Sequence, residues 1–330
     1  MRVSQALAMR ANSCLRILGG AAVAAMAVGC GSHGPAVRPT AGPTPSPSSA
    51  AQLQLPIAAY EFSAAQSQEE QYVKQRLVQA CMATYGFSYL PELSSSTITN
   101  GVQILQEFNS RRYGVSDGAA ARSYGYHIPA WAAGSGQPGL KAQFSRAELL
   151  VLDGPATGPG TRSASGSQSP ASGQGTKLPT GGCEGRANSE LLAAGINDQS
   201  RGNGGGASAL AEDIEGQAFA QTQSDHRVLA VYTAWSECMR QHGYDYSTPF
   251  KAAADPQWNM SVPPTQTEIQ TAEADVSCKF RTNLLGITYA VESDYENAAI
   301  AKNALALAQL KSQVAAQAKK LEYLLARYGG

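Results

Sequence analysis

Charge and histidine are both thin in this chain. Asp, Glu, Lys and Arg make up 15% of its 330 residues, and only four positions are histidine. The 25 basic residues are matched by 25 acidic ones, with no basic stripe, which argues against a nucleic-acid-binding face. His33 lies among prolines, and His127, His226 and His242 stand in no arrangement that marks a general base. Absent too are G-x-x-x-x-G-K-S/T, H-E-x-x-H and C-x-x-C, the spacings that would signal a phosphate cradle, a zinc site or a redox pair. The run Gly202-Asn203-Gly204-Gly205-Gly206 follows no strand pattern and precedes no Lys-Ser/Thr pair, so it reads as a linker. No catalytic residue, cofactor or metal is predicted.

The chain also lacks the roughly 20 consecutive apolar residues of a membrane-spanning helix. Its most apolar stretch, Leu15 to Gly29, is short, interrupted by Arg16 and preceded by Arg2 and Arg10. Positive charge, an apolar core and small residues are the three parts of an export signal. The run Ala27-Val28-Gly29-Cys30 closes it and resembles the end of a bacterial lipoprotein signal, although Ala27 stands where leucine is commoner. On that reading residues 1–29 are removed and Cys30 becomes the lipidated first residue, at the extracytoplasmic face of the cell membrane. A plain secretory signal with Cys30 as a free thiol is the alternative. Met9 would serve as a start as well as Met1. The signal takes three arginines and no acid, leaving the remainder at net −3, so membrane attachment would rest on the acyl chains at Cys30 rather than on a polybasic patch.

Residues 30–58 are Pro-, Ala-, Ser- and Thr-rich, with prolines at 35, 39, 43, 45, 47 and 56. Proline blocks helix formation, and the segment reads as an extended stalk. Residues 59–330 form the folded part. Within it, 154–182 is Gly-, Ser- and Pro-rich with Leu178 as its only large aliphatic residue, which predicts a disordered loop.

The rest is helical in pattern. Ser67-x-x-Glu70, Ser145-x-x-Glu148 and Thr265-x-x-Glu268 read as capping boxes. Val73, Leu77 and Cys81 share one helical stripe, and so do Val228, Tyr232, Trp235 and Met239. Gly86 and Gly243 fall where helices stop. A long run from Pro264 to about Arg327 carries Gly286 as its candidate kink. Its tail repeats every seven residues at Ile300, Leu307, Val314, Leu321 and Tyr328, but Asn303 and Gln317 interrupt the alternate seam. A long helix docked on its own domain therefore suits it better than a coiled coil.

The most specific internal signal is a repeat. Cys81 to Tyr89 and Cys238 to Tyr246 share C-M-x-x-x-G-F/Y-x-Y, while Cys183 to Asn188 and Cys278 to Asn283 share C-x-x-R-A/T-N. Two matches in the same order predict two related halves, about 59–201 and 207–330. Four cysteines in an exported chain imply two disulfides. The repeat favours Cys81–Cys183 with Cys238–Cys278, and the cross-half pairing stays open.

Two acidic clusters, Glu212-Asp213-x-Glu215 and Glu292-x-Asp294-x-Glu296, are where a glycosidase-like carboxylate pair would have to lie. Glu292 and Glu296 share a helix face and read as solvated charges. Tyr113, Tyr124, Tyr126 and Trp131 crowd a loop-like region and form the candidate surface for a sugar or a protein partner.

Trp235-Ser236-Glu237-Cys238-Met239-x-x-x-Gly243-Tyr244, Ala274-Asp275-Val276-Ser277-Cys278-Lys279 and Tyr289-Ala290-Val291-Glu292-Ser293-x-Tyr295 resemble the pattern of a group of actinobacterial exported lipoproteins of unknown function. Arg112-Tyr113-Gly114 and Leu152-Asp153-Gly154-Pro155 fit it as well. The resemblance implies export, disulfides and a helical domain, and implies no activity. The reading is thus a mostly α, disulfide-stapled domain with a long C-terminal helix and long flexible loops. It serves as a non-catalytic binding or accessory protein of the cell envelope, facing a membrane protein complex or cell-wall polymer. A small-ligand capture protein for a transporter is the alternative, with a cell-wall hydrolase behind it.

Overall fold

A computed structural model describes residues 44–89, 95–133, 144–155, 178–196, 207–260 and 262–328. The signal, Cys30, the start of the stalk, most of the 154–182 loop and the linker at 202–206 lie outside these residues. The described residues form helices and turns, with no strand among them.

The first disulfide module is built from α1 (Ala64–Thr84), α2 (Ser95–Ser110), α3 (Gly118–Tyr124), α4 (Ala130–Ala133), α5 (Arg146–Asp153) and α6 (Gly182–Ala193). The helix α1 starts one turn before the predicted Ser67 box. Ser63 caps Gln66 N–H while the Gln66 side chain returns to the Ser63 backbone, so an earlier reciprocal cap captures the start. The Ser145–Glu148 box holds as predicted. Gly154 and Gly182, the ends of the predicted loop, pack backbone to backbone, which holds the end of α5 against the start of α6 beside Cys183.

The second module comprises α7 (Ala207–Ser224), α8 (His226–Gln241), α9 (Pro249–Ala253), α10 (Gln266–Arg281), α11 (Leu284–Lys302) and α12 (Ala304–Tyr328). The long predicted run is thus three helices. It breaks at Asn283, the one described non-glycine residue in the left-handed region (φ 51°), and again at Asn303, not at Gly286. Asparagine tolerates that conformation because its short amide can bond locally. Thr265 caps α10 as predicted.

The disulfides are Cys81–Cys183 and Cys238–Cys278, which removes the cross-half pairing. Each ties the end of one helix to another, α1 to α6 and α8 to α10. Yet the two halves interleave. Tyr113, Val115, Ala121 and Tyr126 belong to the second core with Trp235, Met239 and Leu285. Leu321, at the far end of α12, is buried in the first core with Val73, Met82 and Leu152. The heptad residues Leu307, Val314 and Leu321 face inward, so α12 docks on its own domain.

The stalk expectation fails at its C-terminal end. From Pro45 onward the chain lies along α11, running in the same direction. Asn283 Nδ2 donates to the Pro45 carbonyl at 3.0 Å, Tyr289 OH donates to the Gln54 carbonyl at 2.8 Å, and Ile57 N–H donates to Glu296 Oε2 at 2.9 Å. Gly286 is required here, since a Cβ would strike the Pro45 carbonyl. Two short 3₁₀ turns, Ala50–Gln52 and Pro56–Tyr60, bury Ala50 and Ile57. Apolar residues spaced through a proline-rich segment let it dock without forming a regular helix.

Candidate functional site

The two acidic clusters are linked through one member of each, half-buried Glu215 and buried Glu292. Glu292 and Glu296, one turn apart on α11, are fully buried, contrary to the expectation of solvated charges. The side chain that joins the clusters is Arg112, just after α2. Its Nε and Nη2 both donate to Glu292 Oε1, and its Nη1 donates to Glu215 Oε1 of α7 at 2.6 Å. The guanidinium also stacks 5.2 Å from the Phe219 ring centroid, a favourable cation–π position. Tyr113 OH donates to the other Glu292 oxygen at 2.7 Å.

These contacts set the local electrostatics. Burial works against the Arg112 charge, but the hydrogen bond and attraction of Glu292, with Glu215, leave its pKa raised. Burial, with the Glu292 charge and hydrogen bond behind it, pushes the Tyr113 phenol up as well. Two neighbouring carboxyls are shifted into the physiological range. Burial raises Glu61 to about 7, with help from Glu215 and Glu212. Burial also raises Glu296 to about 7, against the Ile57 N–H and with repulsion from Glu292. Glu296 Oε1 is buried without a hydrogen-bond partner.

A second polar cluster lies in the second core. Asp275 and Lys279, one turn apart on α10, are both 0% exposed. Lys279 Nζ donates to Asp275 Oδ2 at 2.9 Å and to the Val115 carbonyl at 2.7 Å. Trp235 Nε1 donates to Asp275 Oδ1 at 3.0 Å. Burial pushes the Asp275 carboxyl up and the Lys279 amine down, and their mutual attraction opposes both shifts. Gly114 takes φ +82°, and a Cβ there would stand 2.8 Å from Lys279 Nζ, so this glycine admits the lysine to its carbonyl partner. Nearby, Glu268 is buried, accepts from Tyr126 N–H at 3.0 Å, and has His127 Nδ1 3.0 Å from the same oxygen. That contact lacks hydrogen-bond geometry, leaving His127 Nδ1 unpaired.

The aromatic surface predicted from Tyr113, Tyr124, Tyr126 and Trp131 is only partly a surface. Tyr113 and Tyr126 are 3% and 6% exposed, because the loop folds inward onto Glu292 and onto the Trp258 ring. Tyr124 is half-buried. Trp131 is 51% exposed, beside exposed Ile128 on the same segment. His127 Nε2 lies 3.3 Å from the Asn259 carbonyl, which sets this segment beside exposed Met260 and Val262. Exposed apolar side chains thus stand on both segments that meet at the His127–Asn259 contact.

His242 comes close to the sulfurs of Cys238 and Cys278, but those sulfurs are bonded to each other and offer no thiolate ligand. Arg281 Nη2 points at Cys238 Sγ, 2.7 Å away. An open groove of about 330 Å³ runs between α1 and α12, lined by Arg76, Gln79, Ala83, Arg327 and Tyr328, well apart in sequence from the acidic clusters. Arg76 Nε is engaged there by the Tyr328 carbonyl at 2.8 Å.

The sequence exposed both acidic clusters and the Arg112-Tyr113-Gly114 motif but not their union, because Arg112 lies 180 residues from Glu292. Glu61 and Asp275 carried no signal on their own. Among family models, curated proteins and solved structures, none matches this chain.

Proposed function

We propose that this is an extracytoplasmic lipoprotein, held to the membrane through Cys30, whose helical domain acts as a non-catalytic binding or accessory protein of the cell envelope. Two disulfides support the exported location, since such bonds persist in oxidising compartments. No described helix is long and apolar enough to cross a membrane, so membrane attachment in this reading falls to the lipid. The observation that carries the binding role is the exposure of Ile128 and Trp131, and of Met260 and Val262, on two segments that meet at the His127–Asn259 contact. A rigid tryptophan on a short helix beside further apolar side chains has the character of an interface anchor. Elsewhere in the domain the charged groups are engaged in pairs, Arg112 with Glu292 and Lys279 with Asp275, which suits a scaffold that holds a surface in place. The partner in this reading is a membrane protein complex or cell-wall polymer, and the resemblance to actinobacterial lipoproteins belongs to the same proposal.

Crosslinking in intact cells from a photoreactive residue at position 131, followed by mass spectrometry, tests the binding role, with Cys30→Ala as the tethering control. One reproducible membrane complex or one wall polymer is the expected outcome, with Cys30→Ala moving the protein to the medium or leaving it unprocessed. Detergent-extractable membrane association unchanged in Cys30→Ala would defeat the lipid anchor. Crosslinks distributed without preference would defeat the Trp131 surface.

A further inference from the structure

Residues 45–60 are bound along α11, and the last of their hydrogen bonds reaches the acidic cluster. Ile57, 2% exposed, is the main buried apolar side chain of the segment, and its N–H ends on Glu296. Glu61 follows immediately and is half-buried in the same neighbourhood. The charges around them are predominantly of one sign. Glu212 and Glu215 come from α7, and Glu292 joins Glu296 from α11. The facing cations are Arg112, already shared between Glu292 and Glu215, and Lys311 of α12, which sits 5.8 Å from the Tyr60 ring centroid. Tyr113 adds a buried hydroxyl that is committed to Glu292. Glu296 Oε1 has no hydrogen-bond partner, and Arg112, already shared by Glu292 and Glu215, offsets only part of a negative charge placed here.

We propose that residues 45–60 form a pH-releasable strap, docked along α11 while the Glu61 and Glu296 carboxyls hold protons and let go when both ionise. Both groups have docked values near 7 against an ordinary carboxyl value of 4.5. A carboxyl held above its free value favours the docked state where it is protonated, and that preference is lost as pH rises through the docked value. For one such group the docking equilibrium weakens roughly 30-fold between pH 5.5 and 8.5. The hydrogen bond from Ile57 N–H opposes release, because it strengthens when Glu296 ionises. Burial and the surrounding carboxylates outweigh it. Release would add 16 residues to whatever tether precedes Pro45, up to about 50 Å at ~3.1 Å per residue. The release itself does not depend on the lipid anchor; only its consequence for the domain's reach does.

Hydrogen exchange of the disulfide-intact chain from residue 30 onward, corrected for intrinsic exchange rates, reads the strap directly. Protection across residues 50–60 is expected to fall at least about tenfold from pH 5.5 to 8.5, with a midpoint between pH 6 and 8, while α8 stays protected. In Glu61→Gln with Glu296→Gln the fall should shrink to under about threefold, because glutamine still accepts from Ile57 but does not ionise. Equal protection at both pH values, or the same fall in the variant, would overturn the proposal. So would parallel loss in α8. Should the variant fail to fold, the wild-type midpoint decides alone, and one outside pH 6 to 8 sinks the idea.

Discussion

The two disulfide modules share a sequence pattern and differ in what they place behind it. In both, a helix ends in Cys-Met and stops at a glycine with positive φ, Gly86 in one and Gly243 in the other. In both, the methionine is fully buried, Met82 and Met239. Three residues before the first cysteine the first module has Val78 and the second Trp235. One residue after the second cysteine they have Glu184 and Lys279, and three before it Thr180 and Asp275. Val78 joins an apolar core, while Trp235, Asp275 and Lys279 form a bonded polar interior. The cause is helix length. In the second module α10 runs for three turns before Cys278, whereas α6 begins one residue before Cys183. The repeat therefore specifies a covalent clasp and a helix stop, and each module fills the space behind the clasp by different means.

The largest effects should come from opening the clasps. Loops of 102 and 40 residues are closed, and chain entropy assigns them about 4.7 and 3.9 kcal/mol. Replacing both cysteines of a pair by alanine should lower the denaturant midpoint in both cases, slightly more for Cys81 and Cys183. The reverse order would show that the Asp275–Lys279 interior depends on its disulfide beyond loop closure.

Next comes the buried pair itself. Lys279→Met removes the cation from Asp275 and a donor from the Val115 carbonyl, and should cost about 3–5 kcal/mol. Glu184→Met, its counterpart, breaks only a partly exposed contact to Lys74 at 3.6 Å and should stay within about 0.5 kcal/mol. Equal costs in urea titrations would erase the distinction between the modules.

How far the sequence foretold this follows from which signals are local. Capping boxes, helix stops and the paired cysteine motifs depend on residues a few positions apart, and Ser145–Glu148, Thr265, Gly86, Gly243 and both disulfides were readable from them. The helix α2 was not, because Thr97, Ile98, Thr99 and Gly101 weaken its propensity and tertiary packing supplies the remainder. The docking of Pro45 to Tyr60 was hidden for a similar reason: six prolines dominate the composition, whereas Ile57 and the notch at Gly286 decide the packing. Burial of Tyr113 and Tyr126 could not be read either, since their anchors, Glu292 and Trp258, lie 179 and 132 positions away.

The smallest effect separates bonding from mere space-filling in the second module. Trp235 and Tyr126 both approach Asp275, but only Trp235 closes a well-formed hydrogen bond, while the buried Tyr126 hydroxyl interacts with the carboxyl without that geometry. A donor removed from a carboxylate typically costs about 1.5–3 kcal/mol, so Trp235→Phe should lose at least that much, with a further cost for the smaller ring. Tyr126→Phe removes a desolvated hydroxyl whose contact with Asp275 lacks good hydrogen-bond geometry. It should change stability by less than about 0.5 kcal/mol, or raise it slightly. Thermal or urea unfolding of the two variants side by side makes the test. A Tyr126→Phe cost matching that of Trp235→Phe would mean that the hydroxyl reaches Asp275 in solution. The interior polar network would then have one more member than the hydrogen-bond geometry gives it.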